Sequence, residues 1–166
     1  MLGVPMDLGS GRRGVDMGPS AVRYAGIGNE VRALGHTFED LGDIGVPIPE
    51  RREPGVGPKY LREIVRACDR LAPRVEAILA QGGFPIVVGG DHSIALGTVT
   101  GVASHYRKRG ERIGLVWIDA HADMNTPVTS TSGNVHGMPC AVALGMGAPE
   151  LINLGAPAPH VLPENV

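Results

Sequence analysis

The chain lacks any apolar run approaching the ~18 residues needed to cross a bilayer, and it lacks a charged start followed by an apolar signal core. A cytoplasmic protein with no membrane contact is the resulting expectation. Cysteine is scarce. Cys68 and Cys140 have neither the spacing of a zinc site nor the density of a disulfide framework. Cys68 falls on the apolar face of an expected helix and reads as small core packing. Net charge is also small: 15 basic and 17 acidic residues leave −2, so no overall field attracts nucleic acid or another polyanion. The densest basic cluster, Arg107, Lys108 and Arg109, reads as a solvated helix end. No internal repeat or low-complexity tract is present. Glycine (25) and proline (14) are plentiful, but they are spread along the chain and punctuate short elements. At 166 residues the length suits one α/β domain with a real core.

Apolar periodicity outlines the elements. Leu2 to Pro5 reads as a strand, followed by a Gly- and Arg-rich loop to Gly18. Pro19 opens a helix predicted to run to about Leu34. Thr37 to Leu41 reads as a short strand and Gly45 to Gly57 as a Pro-rich loop. From Lys59 to Gln81, apolar residues recur every three or four positions, which predicts a long helix that Pro73 should bend or break. Strands follow at Phe84 to Val88 and Ile113 to Ile118, with a helix from Ile94 to Lys108 between them. Pro139 to Leu144 reads as a short helix, and the tail from Gly147 as loop. Alternating strands and helices predict an α/β fold, an open parallel sheet with helices on both faces. A sheet of three or four such strands would leave an open apolar edge at the chain's end. The expectation is therefore a single domain over residues 1–166 that is cut short on its C-terminal side.

Charged residues gather where strands end. The segment "LVWIDAHADMNTP" places Asp119, His121 and Asp123 at alternate positions straight after an apolar run, so an extended backbone would turn all three to one face. The preceding strand ends in "PIVVGGDHS", which puts Asp91 and His92 beyond its carboxyl edge. Open parallel sheets bind ligands at such edges. Carboxylates and imidazoles without thiolates suit a hard or borderline divalent cation, with manganese first and zinc, iron and cobalt left open. In "TSTSGNVHGMP", Ser130, Ser132 and Asn134 are short hydrogen-bonding residues suited to a polar ligand, and His136 can exchange protons. "GSGRRG", Gly9 to Gly14, matches a dinucleotide-binding pattern. However, helical periodicity begins only at Pro19, and no acidic residue closes a second strand. It reads as a glycine-rich loop near the mouth of the site.

These segments in this order resemble the arginases of the ureohydrolase family: "GVPMDLGSGRRGVDMGPSAVRYAG", "GGDHS", "DAHADMNTP" and "SGNVHGMP". The match runs over essentially the whole chain. The resemblance implies the N-terminal half of a three-layer arginase-like fold. It also implies an active site with two Mn2+ ions, Asp119 bridging both, His92 and Asp123 holding one and His121 the other. Ser132 and Asn134 would bind the amino-acid end of L-arginine, and His136 would transfer protons. Asp123 would face the attacking hydroxide and pass its proton to the departing amine, giving L-ornithine and urea. In this family two further aspartates of an Asp-x-Asp motif and a glutamate facing the guanidinium come from a following segment. Four of six protein ligands are therefore expected here. The implied assembly is a homo-oligomer, trimer or hexamer. Agmatinase or another ureohydrolase is the alternative within the family, and a catalytically incomplete metal-binding fragment the alternative outside catalysis.

Overall fold

The structure is a computed structural model that describes residues 1–156 and 158–166. Strand β1, Leu2–Val4, pairs in parallel with β2, Val87–Gly89, in the register Leu2 to Val87 through Val4 to Gly89. Successive β1 side chains alternate between faces. Leu2 and Val4 join the buried apolar cluster. Gly3 lies on the other face, where an added Cβ would come within 2.9 Å of the Pro19 side chain. Helix α1, Gly18–Tyr24, packs on that second face. It is followed by α2, Ile27–Ala33.

The first face is covered by α3, Leu61–Ala80, whose Ile64, Ala67, Cys68, Leu71, Ala72 and Val75 are buried. It packs along α4, Ile94–Arg107. Two glycines of α4 permit this approach. A Cβ at Gly97 would lie 3.0 Å from Cys68 Cα, and one at Gly101 would lie 2.4 Å from the Ala72 carbonyl oxygen. Short helices α5, Pro139–Ala143, and α6, Pro149–Ile152, complete the order. No helix among the described residues is long and apolar enough to cross a membrane.

Several expectations change. The single helix from Pro19 to Leu34 is two, because Gly26 takes a left-handed backbone (φ 85°) between them. Pro73 does not break α3, which runs through it unbroken. Pro73 sits on the exposed side of the helix, so the carbonyl left without its N–H donor is on the solvent side, while the opposite face is held by burial. The strand expected at Thr37 to Leu41 is replaced by a short parallel run slightly further on. Leu41 and Ile44 donate to Met1 and Gly3 carbonyls at 2.9 and 2.8 Å, with one bridge between Gly3 and Asp43. The tail from Gly147 is not all loop, since it carries α6.

The largest change concerns Ile113 to Ile118, which is not a strand. Its one backbone bond among those described is Leu115 N–H to the Asn165 carbonyl at 2.8 Å. Val116 and Ile118 are 86% and 92% exposed. β-structure requires a neighbouring ladder, and apolar character in one segment does not supply one.

Candidate metal centre

The loop after β2 carries Asp91 and His92 across the edge of the sheet, and the segment from Ile113 to Ile118 leads to Asp119 nearby. His92 Nδ1 lies 2.7 Å from Asp119 Oδ2 and 2.9 Å from Asp123 Oδ2. The Trp117 ring stacks on the His92 imidazole, with centroids 4.5 Å apart and planes 23° off parallel. Candidate ligand atoms of His92, Asp119 and Asp123 all fall within 4.8 Å of one another.

Asp123 is buried, and its Oδ2 has no hydrogen-bond partner among the described residues despite its closeness to His92. Burial pushes the Asp123 carboxyl pKa up. The nearby His92 opposes this shift and the Asp119 charge adds to it. The Asp119 carboxyl moves down, chiefly because the His121 backbone N–H donates to it at 2.9 Å. A covered carboxylate oxygen without a donor, beside a second carboxylate and an imidazole, is the arrangement a divalent cation satisfies. The donor set fits such an ion.

Simple strand alternation does not carry through this segment. The His121 N–H bond to Asp119 Oδ1 turns the chain, and Asp123 adopts a left-handed backbone at φ 50°. Asp123's carbonyl accepts N–H groups of Cys140 and Ala141 at 3.1 and 3.2 Å, which ties the turn to α5. Asp119 and Asp123 converge on His92. His121 does not join them: its side chain is 81% exposed, with Nδ1 3.4 Å from Asp119 Oδ1.

The polar loop lies against the glycine-rich one. Ser132 Oγ accepts the Asn134 N–H at 3.2 Å, and a Cβ on Gly11 would lie 3.2 Å from Asn134 Nδ2. His136 sits in the 3-10 turn Val135–Gly137 ahead of α5 and donates its N–H to the Gly9 carbonyl at 3.1 Å. The charge of His136 acts on Asp123 and favours its ionised form. The glycine-rich segment thus borders the site, as its reading at the site mouth anticipated.

Two contributors escaped the sequence reading. Trp117 carried a signal, since alternation puts it on the side of Asp119. Lys59 carried none. Its Nζ reaches Asn134 Oδ1 at 3.3 Å, and its N–H donates to the Gly133 carbonyl at 2.8 Å, pairings made across a long stretch of chain.

Comparison with known proteins gives the family. The family model described as the Arginase family matches residues 1–159. Arginase from Brevibacillus brevis is 51% identical over 166 residues, covering 100% of this chain and 54% of the relative. Arginase from Bacillus subtilis (strain 168) is 48% identical, with the same coverage of each. The crystal structure of arginase from Bacillus caldovelox superposes with a TM-score of 0.91 at 50% identity, covering 99% of this chain and 55% of that one. Site and fold together define an α/β protein with a candidate metal site of carboxylates and an imidazole. The chain belongs to the arginase family, and it spans about half the length of the curated relatives it matches.

Proposed function

We propose that this chain carries the part of a manganese-dependent arginase that binds one metal ion directly and receives the amino-acid end of L-arginine. The observation that supports this reading most strongly is the meeting of His92, Asp119 and Asp123 donor atoms within 4.8 Å in a chain of the arginase family. His92, Asp119 and Asp123 would hold one Mn2+, and Asp119 with His121 would contribute to a second. When bound, the metal supplies Lewis acidity that makes water a competent nucleophile near neutral pH.

The remaining chemistry belongs to side chains. Ser132 and Asn134 would hydrogen-bond the substrate carboxylate and fix the direction of the guanidinium. Asp123 would accept the proton that water loses as it adds to the guanidinium carbon. It would return that proton to the amine nitrogen as the C–N bond breaks, releasing L-ornithine and urea. His136 would exchange protons between the site and solvent. The implied setting is cytoplasmic and homo-oligomeric, trimer or hexamer.

A second reading is a metal-binding fragment without turnover, favoured by the His121 side chain, which is 81% exposed with its Nδ1 3.4 Å from Asp119 Oδ1. Manganese titration followed by electron paramagnetic resonance, together with urea release from L-arginine, separates the two. Two tightly held ions with turnover support the arginase reading, whereas one ion or none without turnover supports the fragment. Asp123→Ala should weaken manganese binding by more than the roughly hundredfold that loss of a group merely supporting a ligand costs, and abolish urea release; retained turnover would remove Asp123 from the mechanism. Agmatine, which has no carboxylate for Ser132 and Asn134, should compete poorly with L-arginine. Preference for agmatine would move the chain to the agmatinase branch.

A further inference from the structure

The acidic residue of Gly89-Gly90-Asp91-His92-Ser93 and the loop Gly9–Gly14 have as yet no chemical role. The structure joins them. Asp91 is 5% exposed, yet its carboxylate takes its hydrogen bonds from neutral donors. Oδ2 accepts the Gly9 N–H at 2.8 Å. Oδ1 accepts the Ser93 N–H at 3.0 Å and the Ser93 hydroxyl. The Asp91 N–H in turn donates to the Met6 carbonyl at 2.7 Å, so Asp91 clasps the segment from Met6 to Gly9 through backbone and side chain together.

Gly9 extends the connection, because its carbonyl accepts the His136 N–H at 3.1 Å. The fit has no room to spare. A Cβ at Gly9 would lie 2.6 Å from Ser93 Oγ and 2.7 Å from Asp91 Oδ1, and one at Gly90 would lie 1.7 Å from the Met6 carbonyl oxygen. A continuous path therefore runs from His92 through its neighbour Asp91 and Gly9 to His136. A buried carboxylate is costly unless its oxygens are satisfied, and here each bond that satisfies them also fixes a loop of the site.

We propose that Asp91 is a positioning residue, which holds Gly9 and thereby the His136 backbone at a fixed place relative to the His92–Asp119–Asp123 cluster. This rests on the proton-transfer reading of His136 given above. Asn at position 91 would have the same shape but only one acceptor oxygen where donors arrive on both sides. Its NH2 would face either Gly9 N–H or the two Ser93 donors, and one side of the strut would open.

The test compares the manganese-loaded protein with Asp91→Asn by manganese affinity, amide hydrogen exchange and arginine turnover with and without free imidazole. Asp91→Asn should speed exchange at Gly9 and His136 by about tenfold or more and leave manganese affinity nearly unchanged, because the Asp91 carboxylate bonds Gly9 and Ser93 and no ligand side chain. It should lower kcat about tenfold to a hundredfold with little change in KM, and free imidazole should restore much of the lost rate. Unchanged exchange at His136, or a loss of rate that imidazole does not relieve, would overturn the proposal. If Asp91→Asn does not fold, Gly9→Ala decides: it displaces the same loop and should show the same imidazole-dependent loss, and normal turnover would overturn the proposal. If the unmodified protein releases no urea, the arginase reading fails by itself. Exchange at His136 in the variant then decides alone, acceleration supporting the strut and its absence overturning it.

Discussion

Individual side chains in this protein acquire their chemistry from what covers them. Cys68 is 1% exposed, and burial pushes its thiol up to about 12, so it is an inert packing group, as its place on an apolar helix face suggested. His160 shows the opposite sign. It is 7% exposed, its Nε2 lies 3.1 Å from Thr100 Oγ1, and its Nδ1 has no hydrogen-bond partner among the described residues. Burial, with the Arg107 charge adding to it, lowers the pKa from 6.5 to about 4. Between those two values the unfolded chain binds a proton that the folded chain refuses, so stability is lost as pH falls through that window and levels off below it. The loss is on the order of 2–3 kcal/mol. Urea unfolding at pH 7.5 and 4.5 should show it, and His160→Gln should lose less stability between the two pH values than the unmodified chain. Equal losses in the two proteins would show that His160 is not the cause.

At the scale of elements, α3 and α4 form the stiff layer behind the site. Regular apolar spacing made α3 legible from the sequence alone, and the burial of Ile64, Cys68, Leu71 and Val75 follows that spacing. The passage of α3 through Pro73 was not legible, because the outcome depends on Pro73 facing solvent while the opposite face is packed. Close contact of the two helices depends on Gly101, where a Cβ would lie 2.4 Å from the Ala72 carbonyl oxygen and 2.8 Å from Val75 Cβ. Gly101→Ala should therefore destabilise the protein by about 1–3 kcal/mol despite the higher helix propensity of alanine. Thermal unfolding measures this, and a raised Tm would show that the interface can separate at little cost.

For the molecule as a whole, the decisive feature is the extended segment ending at Asp119. Val116 and Ile118 are exposed beside Leu115 and Trp117, which are partly covered. An exposed, apolar, extended backbone is prone to aggregate. Replacing both Val116 and Ile118 by Lys should raise the soluble concentration several-fold and reduce binding of an apolar dye, measured on purified protein; unchanged solubility would place the liability elsewhere. The same segment explains why part of the fold could not be read locally. "LVWID" has the composition of a buried strand, but a strand is defined by the ladder it forms with its neighbours, which composition does not encode.

The chemical content of the site was determined by the sequence itself: that its groups follow apolar runs, that they are carboxylates and imidazoles without thiolates, and that they come in an arginase-like order. Local rules suffice there, since residue type alone sets ligand chemistry. Which groups actually meet was decided by tertiary structure. A backbone turn at Asp119 and the left-handed conformation of Asp123 bring two carboxylates to His92 and leave His121 at the solvent. Asp91, Gly9 and His136 come together through bonds between distant segments, and no periodicity within any one segment encodes such pairings.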